Sequence, residues 1–141
     1  MSDMVRELPG ILILSHGPMC TAVMESAEMI TGELENVQAL PFGEQDDLEA
    51  YGQRAREMYA AMPEGSIVLF DLFSGTPFNQ MMARCEGMEV EGLCGLSLPM
   101  LLDALSMREF LSGGELVQAL AESARAGVVD VGEFMHQALE G

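Results

Sequence analysis

Short continuous apolar runs alternate along the chain with longer stretches in which apolar residues recur every three or four positions. The first run, Gly10 to Ser15 (GILILS), suits a central parallel strand buried on both faces. After His16-Gly17-Pro18, the residues Met19, Val23, Ala27 and Ile30 keep helical spacing, and Gly32 closes the segment. Val37 to Phe42 reads as a weaker strand, assigned to a sheet edge by Pro41. Asp46 or Asp47 then caps a second helix with the stripe Leu48, Tyr51, Ala55, Met58 and Met62, ended by Pro63 and Gly65. Ser66 to Asp71 (SIVLFD) is the clearest strand. It is followed by a turn over Leu72-Phe73-Ser74-Gly75 and a helix opened by Thr76-Pro77. Gly92 to Leu96 reads as a fourth strand, and Ser97-Leu98-Pro99 leads into the helix MLLDALSM. Ser112-Gly113-Gly114 breaks the chain before a long helix over Glu115 to Ala126. Val128 to Val131 is expected as a short fifth strand, and the tail to Gly141 as helical.

Strands that alternate with helices imply a mainly parallel sheet with helices on both faces. The expectation is a single α/β domain spanning 1–141, doubly wound in the flavodoxin-like manner, without repeats or linkers. Pro18, Pro77 and Pro99 each stand at or near the start of a helix, where a missing N–H is tolerated. All three turns lie at the carboxyl edge of the sheet. That edge carries the ligand crevice where strand order reverses. In a flavodoxin-like order, strands one and three flank the reversal. His16 and Asp71 should therefore meet there.

Composition narrows the function. Hydrophobic residues make up 49% of the 141, yet no apolar stretch reaches membrane-spanning length. The N-terminal MSDMVRELPG lacks the pattern of a secretion signal, so the protein is expected in the cytoplasm. A net charge of −17 repels nucleic acid and anionic membranes and suits a partner with a positive face. All six basic residues are arginines. Without lysine, the chain has neither a Walker-type phosphate loop nor Schiff-base or pyridoxal phosphate chemistry. The three cysteines form no CxxC and are expected as small buried hydrophobes. Cys20, four residues after His16, invites the idea of a metal pair, but no Cys/His cluster supplies further ligands. Neither a metal nor a cofactor is expected. The thirteen methionines are read as core filling.

A histidine–aspartate pair at this edge has a definite chemical use. The carboxylate accepts a hydrogen bond from one ring nitrogen, fixes the tautomer and leaves the other nitrogen with a free lone pair. That nitrogen can attack phosphorus and hold a phosphoryl group covalently. First-turn amides of the helix after Pro18 are expected to point at the group. Thr76 is expected as the N-cap of the third helix with its hydroxyl in reach, and Ser74 and Gly75 as a nest of N–H donors. On pattern alone, His16 can equally be a structural residue at a strand end, and Asp71 a turn residue. His136 reads as solvated surface. A receiver domain would need an acidic pair after strand one and a lysine, and a flavodoxin a hydroxyl- and glycine-rich loop where this chain has SHGPM.

The segments ILILSHG, SAEMITGELENV, LFDLFSGTPFN and GLSLPML, in this order, resemble the IIA component of the mannose-family sugar phosphotransferase system. The resemblance runs from about Gly10 to Val131. It implies that His16 is phosphorylated by the carrier HPr, with Asp71 as its partner and Thr76 as the hydroxyl residue. It further implies transfer to a IIB component, which serves membrane IIC and IID components, and a homodimer that exchanges a strand near Val128 to Val131. Any IIB domain is expected on a separate polypeptide. Pro18, Phe73 and Ser97 depart from residues common in that family. The alternatives are a phosphotransfer subunit for a dihydroxyacetone kinase, whose histidine segment usually reads SHS, a regulatory module that moves no phosphoryl group, and a flavin-binding electron carrier.

Overall fold

The structure, a computed structural model, describes residues 7–140; residues 1–6, which carry most of the N-terminal segment read as lacking a signal, lie outside it. The strands are β1 (Ile11–His16), β2 (Val37–Phe42), β3 (Ile67–Phe70) and β4 (Gly92–Cys94). The helices are α1 (Met19–Thr31), α2 (Leu48–Ala60), α3 (Thr76–Arg84), α4 (Leu98–Met107), α5 (Gly113–Ala126) and α6 (Val131–Glu140). The four strands form one parallel sheet in the order β2-β1-β3-β4. β2 is an edge strand, as Pro41 requires, and β1 and β3 are adjacent at the reversal of strand order.

Side chains on a strand alternate between faces, so a strand covered on both sides must be apolar at every position. β1 and β3 meet that demand. Ile11, Ile13, Ile67 and Leu69 pack with Cys20 and Ala27 of α1, Leu101 and Ala104 of α4, and Leu116 and Leu120 of α5. Leu12, Leu14, Val68 and Phe70 pack on the other face with Tyr51 and Ala55 of α2 and Met81 of α3. The helices therefore divide between the two faces and bury β1 from Ile11 to Ser15 and all of β3.

Several sequence expectations need adjustment. The apolar face of α1 runs through Cys20, Val23, Met24 and Ala27, while Met19 and Ile30 are exposed. On α2, Tyr51 and Ala55 are buried, but Leu48 is exposed. Asp47, not Asp46, caps α2, accepting from the Ala50 N–H at 2.8 Å; Asp46 instead accepts from the Gly43 N–H at 2.7 Å. Gly113 and Gly114 belong to α5, with Ser112 at its N-cap.

The expected fifth strand does not form. Val128 and Val129 are exposed and lie outside the four-stranded sheet. β-Branched residues favour strands only through packing against a neighbouring strand. Here the Asp130 carboxylate accepts from the Glu133 N–H at 3.0 Å and starts α6 one residue later. The helical tail follows as expected, and His136 is exposed there, 3.1 Å from Glu140.

Candidate functional site

The site begins with a turn held from below. His16 is the last residue of β1, in register with Phe42 of β2. Gly17 follows in the left-handed region at φ 58°, where a side chain would be strained. Its N–H donates to the Phe42 carbonyl at 2.7 Å. Ser15, fully buried, donates its hydroxyl to the Gly17 carbonyl at 2.9 Å and accepts from the Cys20 N–H at 2.8 Å. One small side chain thus ties the strand end, the turn and the first turn of α1 together.

Asp71 follows β3 directly, and its own N–H donates to the Leu14 carbonyl of β1 at 3.1 Å. Its Oδ2 accepts from the His16 backbone N–H at 2.9 Å and lies 2.8 Å from Nδ1 of the His16 ring. The two residues are 55 positions apart in sequence and meet only because β1 and β3 are paired. The Asp71 side chain is 10% exposed and that of His16 44%. The carboxylate is sheltered while the ring reaches solvent. A carboxylate at Nδ1 selects the tautomer that carries the proton there. In the neutral ring Nε2 is then the nitrogen left with a free lone pair.

The third part of the site is the loop before α3. Gly75 is the N-cap of α3, in extended conformation, and Thr76 is the first residue of the helix. The expectation of Thr76 as the N-cap is corrected here, because Gly75 takes that position and no side chain caps the helix. A methyl group on Gly75 would stand 2.6 Å from Cε1 and 3.2 Å from Nε2 of His16. Only glycine lets the backbone pass so close to the ring. Ser74 adopts φ 67°, an uncommon conformation for a residue with a side chain. The start of α3, with the positive end of its dipole, therefore adjoins the nucleophilic edge of the ring, where it favours negative charge.

Of the residues expected from sequence, His16, Asp71 and Gly75 converge, and Ser74 and Thr76 flank Gly75. The expected donation from α1 is reduced, since Ser15 already takes the Cys20 N–H. Sequence reasoning missed Ser15, whose signal was a hydroxyl at a strand end five residues before a helical N–H. It also missed Asn79, whose Nδ2 donates to the Ser74 carbonyl at 2.9 Å.

Surrounding groups are kept neutral. Burial pushes the Tyr51 phenol up from its ordinary value, and the nearby carboxylates of Asp71 and Asp46 add to this. Its hydroxyl donates to the Leu40 carbonyl at 2.6 Å. Burial, then the Asp71 charge, pushes the Cys94 thiol up. Leu72 and Phe73 stand exposed beside the site, and Phe73 leans on Phe78, which packs on Phe70 of the core. Among the described residues, no group of three or more His, Cys, Asp or Glu could hold a metal ion. No helix there is long and apolar enough to cross a membrane. A cleft of about 620 Å³ lies at the opposite, amino edge of the sheet, bordered by Gly65, Glu91 and Gly113.

Residues 10–121 match the family described as PTS system fructose IIA component. The chain is 34% identical over 113 residues to the fructose-specific EIIA component of Bacillus subtilis, covering 78% of this chain and 77% of that protein. It is 32% identical over 124 residues to the mannose-specific EIIAB component of Escherichia coli, covering 84% of this chain but only 38% of that longer protein. The crystal structure of a phosphotransferase system EIIA component from Streptococcus agalactiae superposes with a TM-score of 0.80 at 28% identity, covering 88% of this chain and 98% of that one.

Proposed function

The chain belongs to the fructose- and mannose-type family of IIA components of the sugar phosphotransferase system, and from that premise we propose that it carries phosphoryl groups on Nε2 of His16. The observation that carries the proposal is the 2.8 Å contact between Nδ1 of His16 and Asp71, which leaves Nε2 as the free nitrogen of a ring whose side chain is 44% exposed. The donor is the phosphohistidine of HPr. The Nε2 lone pair attacks phosphorus, the bond to the donor nitrogen breaks, and its electron pair returns to the donor ring. His16 keeps its Nδ1 proton, so its ring gains positive charge as the new bond forms. Asp71 offsets that charge. The first turn of α3, with Ser74, Gly75 and Thr76, faces the negative phosphoryl oxygens. No covalent chemistry beyond displacement is needed, so catalysis is positioning and charge stabilisation.

From His16 the group passes to a IIB component and onward to a sugar entering through membrane IIC and IID components. Transfer from the phosphohistidine of HPr to His16 exchanges one N–P bond for another, so that step works near equilibrium in either direction. The sugar names borne by the relatives favour this reading over a dihydroxyacetone kinase subunit. The protein acts as a single domain in the cytoplasm and as a homodimer.

Incubation with phosphoenolpyruvate, enzyme I and HPr, read by intact mass, tests the proposal. The expected result is one acid-labile phosphoryl group on the wild type and none on His16→Ala, with the variant folded. An unmodified wild type beside an active HPr control would refute it.

A further inference from the structure

We propose that Asn79 is a positioning residue for the transfer, fixing the Ser74–Gly75 backbone against the reactive edge of His16. This rests on the reading of His16 as the phosphoryl acceptor.

Asn79 holds two consecutive carbonyls of the site loop. Its side-chain Nδ2 donates to the Ser74 carbonyl at 2.9 Å, and its backbone N–H donates to the Gly75 carbonyl at 2.9 Å. The second bond belongs to any α-helix at this point. The first does not, and it comes from an exposed side chain that turns back along the helix instead of outward. The loop it reaches needs such a tether. Ser74 is in the left-handed region at φ 67°, and the Gly75 N–H has only a long contact of 3.4 Å to the Leu72 carbonyl. Leu72, Phe73 and Ser74 are all exposed, and apart from the contact of Phe73 with Phe78 packing holds the loop weakly.

What the loop positions is the His16 ring. The space for a methyl on Gly75 is filled by Cε1 at 2.6 Å and Nε2 at 3.2 Å. Gly75 therefore forms a wall along the side of the ring where the phosphoryl group must attach. If the Ser74–Gly75 peptide turns, that wall moves, and the start of α3 no longer meets the phosphoryl oxygens. Asparagine is a weaker helix former than alanine. Its presence here thus serves the loop rather than the helix, and its removal separates transfer from stability.

The test compares Asn79→Ala with the wild type in single-turnover transfer from phospho-HPr and in the NMR signal of the His16 Cε1 proton without phosphate. Gly75→Ala, which puts a methyl against the ring, calibrates the direction of that signal's displacement. The expected outcome for Asn79→Ala is a maximal rate lower by about tenfold, at unchanged half-saturating HPr and unchanged melting temperature, with the Cε1 signal displaced or broadened. Wild-type rate with an unmoved signal overturns the proposal. So does a loss that appears only as weaker HPr saturation, which would assign Asn79 to docking. Should the wild type itself take no phosphoryl group, the carrier reading falls. The Cε1 signal alone then decides: displacement supports the positioning role of Asn79 and an unmoved signal rejects it.

Discussion

Asp71 uses one oxygen for two purposes. Oδ2 accepts from the backbone N–H of His16 and from its ring, so the same atom fixes both the residue and its tautomer. Asp71→Asn keeps the shape but removes the charge that, on the proposed role, balances the ring as phosphorus binds. It also allows the amide to present N–H groups to a ring nitrogen that should itself donate. We expect transfer to slow by about ten- to a hundredfold with little loss of folding, measured by single-turnover transfer and thermal melting. Wild-type transfer by that variant would separate Asp71 from the chemistry. The identity of this pair was legible in the sequence, because a strand-end histidine and a strand-end aspartate fall on one edge of a doubly wound sheet. The support beneath it was not. Ser15 acts by bonding Gly17 and Cys20 across a turn whose shape depends on the left-handed Gly17, and Asn79 acts through a carbonyl orientation that no spacing rule encodes.

Among the elements, α3 begins just past Gly75, whose backbone lies against the ring, and its position depends on contact with α2. Gly52 of α2 faces α3 so closely that a methyl there would stand 2.3 Å from the Gln80 carbonyl. Two effects compete in Gly52→Ala. Alanine gains about 1 kcal/mol of helix propensity. Overpacking against a rigid backbone costs about 1–3 kcal/mol. The obstacle is a helix carbonyl that cannot rotate away, so we expect the cost to win. The melting temperature should fall, and because α3 shifts, transfer per folded molecule should fall as well. A variant more stable than wild type would mean that the helices separate freely. The elements themselves were read well where burial demands were absolute, as in β1 and β3, and where a proline marked the sheet edge, as in β2. They were read poorly where a local cap competed with propensity. Val128 to Val131 carries strand-favouring residues, yet Asp130 captures the Glu133 N–H and starts a helix instead.

Across the whole molecule, Arg108 links parts that no motif connects. It is 4% exposed and donates to the carbonyls of Pro9 at 3.0 Å, Asn36 at 3.4 Å and Glu35 at 2.6 Å, joining the end of α4 to the entries of β1 and β2. Burial lowers its pKa from the ordinary value, but an arginine still keeps its charge at neutral pH. Arg108→Met retains the bulk but leaves the buried Pro9 carbonyl and the Glu35 carbonyl without this donor. We expect a loss of about 3 kcal/mol by denaturant titration, or about 10 °C in melting temperature. A change within error would show that water replaces the guanidinium at no cost.

Alkaline pH should destabilise the molecule. Burial raises the pKa values of Tyr51, Tyr59, Cys85 and Cys94 in the folded chain. The unfolded chain therefore releases these protons first. Stability from these groups is present below the unfolded values, about 8.5 for cysteine and 10 for tyrosine, and is lost as pH rises past them. Melting temperature should decline steadily above about pH 9. A flat profile to about pH 11 would contradict the burial of these groups.

The sequence by itself determined the strand–helix alternation, the burial of β1 and β3 on both faces, and the candidates His16 and Asp71, because these follow from local hydrophobic pattern and from residue chemistry. Tertiary structure alone decided that one carboxylate oxygen serves both the His16 backbone and its ring, that Gly75 must lack a side chain, that Asn79 tethers the Ser74 carbonyl, and that Arg108 joins three remote segments. Each of those depends on distances of a few ångströms between residues remote in sequence or turned by loop geometry, and such distances are set only when the whole chain has packed.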